Sequence, residues 1–157
     1  MTEQFRISPV GHVRGSRAAA VDDAWGGAEC AIELAEGIPD EALLGLDAFS
    51  HAEIFYVFDR VDDAEIELGA RHPRGNRAWP RVGILAQRGK GRPNRLGATI
   101  VPIVRVEGRR LVVLELDAIE GTPVVDIKPV MREFLPRTPV VQPEWATELM
   151  TGYWSKG

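Results

Sequence analysis

Apolar residues along this chain recur mostly at every second position, in short runs broken by glycine, proline and charged residues, and seldom at helical spacing. Phe5 and Ile7 alternate with polar neighbours and lead to Pro9-Val10-Gly11-His12-Val13, an opening strand with a break at Pro9. Residues 14–27 are small, polar and glycine-rich, which predicts a loop free to move. A second strand follows at 30–34. At 39–46, a proline at the first helical position and acids in the first turn predict a short helix ending near Gly45. Residues 51–58, from His51 to Phe58, turn apolar on both faces toward their end and suit a central strand. Further strands are expected at 82–86, 98–106 and 111–116, the last two joined by a hairpin turn at Glu107-Gly108-Arg109-Arg110. Pro102 cannot donate to a ladder, so its strand lies at an edge or carries a bulge there. Residues 130–153 hold three prolines and predict extended chain plus one short helix at 144–150, with Pro143 at its start.

Short strands with tight turns make a mostly β protein whose sheet must close to hide its edges. The expected architecture is a single-domain antiparallel β-barrel spanning 1–157, with short peripheral helices and a tail at 130–157 packing on the barrel. A chain of 157 residues with 45% apolar content can fill one such core. The lone Cys30 excludes an internal disulfide and a thiolate metal cage, and it reads as a buried strand residue in a reducing compartment. No apolar run approaches the ~20 residues of a membrane span, and the start of the chain lacks the pattern of a signal peptide, so a cytoplasmic protein is expected.

Charge alters this picture at one place. The segment 71–95 holds eight of the 19 Lys and Arg residues and no acid, while the rest of the chain carries 11 basic against 23 acidic side chains. Such a stripe in an acidic protein is either a solvated loop or the electrostatic footprint of a polyanion such as nucleic acid. No Walker loop, dinucleotide-binding glycine pattern or G-x-S-x-G elbow is present, and His12, His51 and His72 lack close metal-ligand spacing, so no metal is expected.

The remaining motifs occur together and in order: Phe49-Ser50-His51 before an apolar strand, Val82-Gly83-Ile84-Leu85-Ala86-Gln87-Arg88, Arg92-Pro93-Asn94 with Leu96-Gly97, Leu116-Asp117, and Gly121-Thr122-Pro123-Val124-Val125-Asp126-Ile127-Lys128-Pro129. In this combination the chain resembles the TsaA-like family, also called TrmO or YaeB-like, from Ile7 to Pro129. The resemblance implies a small β-barrel that binds S-adenosylmethionine, works as a homodimer and methylates the exocyclic nitrogen of threonylcarbamoyladenosine beside the anticodon of tRNA. It implies cofactor contacts from Gln87, Arg88, Leu116, Asp117, Ile119 and Thr122. Arg92, Pro93 and Asn94 correspond to the family's R-P-N loop at the active site. Asp126, Lys128 and Asn94 are the candidates for orienting or deprotonating the acceptor, although the i, i+2 spacing of Asp126 and Lys128 equally suits a structural ion pair. Arg74, Arg77, Arg81, Arg92 and Arg95 are the candidate substrate contacts. His51, Tyr56 and the four tryptophans are further candidates to face the site or stack on a base, with core packing as their alternative.

The chain departs from the family pattern where members read A-T-R-S-P and R-P-N-P-I-G. Here Gln87 replaces Thr, Gly89-Lys90 replaces Ser-Pro, and Arg95 replaces the second Pro, giving a looser and more cationic loop. Three readings stay open at this point: a tRNA methyltransferase, a methyltransferase of a small anion with the Arg-rich loop as its lid, and a non-catalytic module that senses the cofactor or nucleic acid.

Overall fold

The computed structural model describes residues 2–157. Six strands close into an antiparallel barrel: β1 (Gly11–Arg14), β2 (Glu29–Leu34), β3 (His51–Val57), β6 (Leu96–Glu107), β7 (Arg110–Leu114) and β8 (Pro123–Pro129), in the spatial order β1-β2-β7-β6-β3-β8. Two short strands, β4 (Ala70–Arg71) and β5 (Val82–Gly83), pair only with each other in a separate ribbon. One α-helix, α1 (Glu144–Leu149), lies near the end of the chain. Closure leaves no long ladder edge open, which is how short strands of this kind escape edge-to-edge association.

Strand alternation sets the core. In β3, Ala52, Ile54 and Tyr56 point inward and are buried, while the residues between them are partly exposed. Val13, Ile32, Val101, Leu111, Val113 and Val124 meet them from the other strands. Cys30 belongs to this cluster, and burial pushes its thiol from an ordinary value of 9.0 up to about 12, with the negative charges of Glu120 and Glu29 adding to the shift. The folded protein is therefore expected to ignore a thiol-specific reagent at pH 8 and to react fully once unfolded, read by absorbance with and without denaturant. Because the folded value lies above the unfolded one, the stability linked to this thiol is fully present below pH 9.0 and is lost as pH rises toward 12.

Several expected elements differ in the structure. Residues 2–9 form no strand and are exposed, because the neighbours that β1 pairs with begin opposite Gly11. The expected helix at 39–46 is two 3-10 turns, Asp40–Leu43 and Leu46–Ala48, separated by Gly45 at φ 86°, a left-handed conformation that ends any helix. The strand expected at 82–86 stops at Gly83 and turns over at Ile84–Ala86. The hairpin between β6 and β7 forms as expected, and the ladder register shifts between Ile103 and Arg105, beside Pro102. Strand β7 ends at Leu114, one residue before Glu115 at φ 61°. The loop 14–27 is tied down: Ser16 donates to the Ala118 carbonyl at 2.6 Å, its N–H donates to Glu120 at 3.1 Å, and the Arg17 guanidinium lies 3.7 Å from the Trp25 ring centroid.

The topology divides the barrel into two ends with different contents. Three connections, β1 to β2, β3 to β6 and β7 to β8, lie at one end, here called the mouth, and they carry the motif segments except Phe49-Ser50-His51, at the far end, and the outer part of β8. Strand β8 runs away from the mouth, so the chain leaves the barrel at the far end. It returns through 131–143, exposed throughout, and only from Glu144 onward packs against the mouth loops.

Candidate functional site

The mouth is organised around Asp117, in the connection between β7 and β8. Its Oδ1 accepts from the Tyr56 hydroxyl at 3.0 Å and from the Thr99 hydroxyl, and its Oδ2 accepts from the Tyr153 hydroxyl. Each donor comes from a different element: Tyr56 from the inner face of β3, Thr99 from the inner face of β6, and Tyr153 from the chain after α1. Among the described residues Asp117 makes no ion pair. Both tyrosines are pushed well above the ordinary phenol value, first by burial and then by the negative charge of Asp117. The fields of Arg88 on Tyr56 and of Arg74 on Tyr153 act in the opposite direction, which puts both guanidinium groups around the cluster. The two tyrosines therefore remain hydroxyl donors at any working pH and cannot serve as bases.

Other candidates occupy the same end but play varied parts. Gln87 is buried, and its Nε2 donates to the carbonyls of Arg71 and Val82 at 3.0 Å each, so its side chain holds the β4–β5 ribbon against the motif loop. Arg88 donates to the Ala98 carbonyl at 2.5 Å, and Arg92 donates to the Gln87 carbonyl at 2.5 Å. Leu116 is buried in the core, and Thr122 is buried with its hydroxyl on the Ile119 carbonyl at 2.7 Å. These contacts shape the Asp117 loop. What Gln87, Leu116 and Thr122 can offer a ligand is backbone. Asn94 and Arg95 are both left-handed, at φ 62° and 51°, and Ala24, Arg74 and Glu115 share that conformation. Among the described residues, the five non-glycine residues with positive φ thus all belong to mouth loops, the kind of stored strain that collects at functional sites.

Asp126 and Lys128 are placed elsewhere. They stand opposite Phe55 and Glu53 on β3, and directly opposed residues share a face, so both project from the outer wall, away from Asp117. They pair with each other at 3.1 Å. His51 begins β3 at the far end, bonded to Ser50 at 2.7 Å.

The basic stripe is only partly free. Arg74 pairs with Asp23 at 3.1 Å and Asp22 at 3.8 Å, and Arg95 pairs with Asp63. Arg77, Arg81 and Lys90 are exposed and form no ion pair among the described residues. All three belong to the β3–β6 connection at the mouth.

Sequence reasoning alone reached Asp117 and Arg88 through their motifs but missed Thr99 and Tyr153, and it took Tyr56 for a stacking candidate. Nothing in local sequence marks Thr99 or Tyr153, because each joins the site only through long-range closure. The one usable signal is Gly97: a Cβ there would fall 2.5 Å from the Tyr56 ring, so the glycine makes room for it.

Comparison with known proteins now adds to the geometry. The model of the tRNA-methyltransferase O N-terminal domain matches residues 21–134. The chain belongs to this family. It is 35% identical over 105 residues to the human tRNA (adenine(37)-N6)-methyltransferase, covering 67% of this chain and 23% of the relative. It is 35% identical over 131 residues to a putative S-adenosylmethionine-dependent methyltransferase of Pseudomonas aeruginosa, covering 78% of this chain and 53% of that one. A crystal structure of TrmO from P. aeruginosa superposes with a TM-score of 0.74 over 92% of this chain and 63% of its own, at 23% identity, which shows the shared fold. The chain thus spans less than two thirds of the length of these tRNA-methyltransferase O relatives. The family match ends at Phe134, so α1 and Tyr153 lie outside it.

Proposed function

We propose that this protein is an S-adenosylmethionine-dependent methyltransferase acting on the exocyclic nitrogen of threonylcarbamoyladenosine beside the anticodon of tRNA, in a cytoplasmic setting. The observation that carries the reading is Asp117, a carboxylate with no ion pair among the described residues, bonded by three hydroxyls at a barrel mouth whose β3–β6 connection carries exposed cations. A carboxylate so placed suits the positive end of the donor, and neighbouring Arg88 suits its amino-acid carboxylate. When bound, S-adenosylmethionine supplies an electrophilic methyl group on a sulfonium. The protein's own part is to orient. Asp117 and the backbone of the loop 117–122 hold the donor, the core beneath excludes water, and the free cations Arg77, Arg81 and Lys90 hold the phosphates of the acceptor. Asn94, exposed in a left-handed turn of a mouth loop, is the motif side chain this reading assigns to the acceptor base. Methylation releases the proton of the acceptor nitrogen, and the two shifted tyrosines, which act as donors only, are not the groups that take it.

The names borne by the tRNA-methyltransferase O relatives support the donor and the acceptor alike. A homodimer is part of the proposal. Phe134 and Val141, at 87% and 91% exposure, stand on the return run with Val140, while Leu96, Ile100 and Val104 are exposed on β6, more apolar surface than a monomer of this size needs. A second copy covering it would elute at twice the chain mass in size-exclusion chromatography with light scattering.

The activity is tested by calorimetry with S-adenosylmethionine, followed by labelled-methyl transfer to total tRNA with and without the threonylcarbamoyl group. Saturable binding and label incorporated only into modified tRNA are expected. Donor binding with transfer to a small anion and none to tRNA would replace the acceptor, and no binding at millimolar donor would end the reading.

A further inference from the structure

The chain after α1 is fastened to the mouth as a strap. The Trp79 indole donates to Glu148 at 2.7 Å, joining α1 to the basic segment. Backbone N–H groups of Ala24, Trp25 and Gly26 donate to the carbonyls of Gly152, Tyr153 and Ser155 at 3.1, 2.9 and 2.9 Å. Gly26 lies backbone to backbone on the strap: a Cβ there would come within 2.0 Å of the Trp154 carbonyl oxygen. The Tyr153 ring rests edge-on against Trp154, with centroids 4.9 Å apart. All of these contacts converge on one outcome, which is delivery of the Tyr153 hydroxyl to Asp117 Oδ2.

A carboxylate on a loop can rotate about its own bond, and two donors from the barrel interior, both on Oδ1, leave its other oxygen unheld. The strap supplies the third point. With Tyr56 and Thr99 on one oxygen and Tyr153 on the other, three of about four lone-pair sites are filled and one remains for a ligand. We propose that Tyr153 is a positioning residue for the methyl donor, holding the Asp117 carboxylate so that its remaining acceptor site meets the donor's cationic end. The inference rests on the reading of Asp117 as a donor contact, and the experiment separates the two.

Three variants of the full chain are compared with the parent: Asp117→Asn, Tyr153→Phe and Gly26→Ala. The second removes one hydroxyl. The third leaves every polar side chain in place and unseats the strap by a backbone clash. Calorimetry gives Kd for S-adenosylmethionine, steady-state methyl transfer gives KM and kcat, and circular dichroism confirms that each variant is folded at the assay temperature. Tyr153→Phe and Gly26→Ala are each expected to raise Kd and KM for the donor about tenfold, the factor lost with one hydrogen bond to a charged group, with kcat within about twofold. Donor affinity lost in Asp117→Asn but unchanged in the other two overturns the positioning role and leaves the Asp117 reading intact. Unchanged affinity in Asp117→Asn overturns both. A fall in kcat with unchanged KM in Tyr153→Phe would assign the residue to the acceptor and overturn the proposal as well.

Discussion

Gly97→Ala is expected to lower affinity for S-adenosylmethionine by between tenfold and a hundredfold while the barrel stays folded. An added methyl at Gly97 would stand 2.5 and 2.6 Å from Tyr56 Cε2 and Cζ and 3.0 Å from Phe58 Cζ. The Tyr56 ring is buried on all sides, with Phe58 edge-on at 5.4 Å, so it yields only by tilting. Tilting carries its hydroxyl off Asp117 and Thr99, and the carboxylate loses one of its two interior anchors. Overpacking of this kind costs about 1–3 kcal/mol, which lowers the melting temperature by several degrees without unfolding the chain. Calorimetry and thermal melts check the two parts separately. An affinity equal to the parent's would show that the Asp117 cluster does not form the donor site.

Replacing Arg77, Arg81 and Lys90 together by glutamine is the second large effect. Apart from Arg88, whose guanidinium is bonded to the Ala98 carbonyl, these are the cations of the basic segment that are exposed and free of ion pairs among the described residues, whereas Arg74 and Arg95 already neutralise acids of this chain. Each phosphate contact adds about 0.7 to the slope of log affinity against log salt on a single strand, so losing three lowers that slope by roughly 2. Affinity for tRNA at low salt should fall by two orders of magnitude or more, with donor affinity unchanged. Filter binding across a salt series reads both quantities. A slope that stays the same would move RNA to another face of the molecule.

Legibility of this chain in its sequence followed the range of the interactions involved. Strands β2, β3, β6 and β7 were readable because alternation is local and their inward faces are continuous, and the hairpin at Glu107–Arg110 because its turn residues are adjacent. The helix expected at 39–46 failed for the reason that Gly45 interrupts it with a left-handed residue before a full turn can repeat. The opening strand forms only from Gly11, and not at Phe5–Ile7, because alternation there says nothing about whether a partner strand extends that far. In the candidate site, the motif residues Gln87, Arg88, Asn94, Asp117 and Thr122 fall in mouth loops, and the contacts of several are structural. Gln87 faces backbone carbonyls, Thr122 bonds its own turn, and the Asp126–Lys128 pair projects from the outer wall. Tyr56, Thr99 and Tyr153 meet at Asp117 from positions 43 to 97 residues apart in number along the chain, a convergence that only the closed barrel creates.

Residues 2–9 are exposed and precede β1, which enters the barrel from the far end. Lys156 instead bridges to Gly26 in the mouth itself, and Gly157 lies against Ala24. An affinity tag joined to Gly157 begins beside the mouth loops, and on the proposed reading it would hinder turnover more than the same tag at the other terminus.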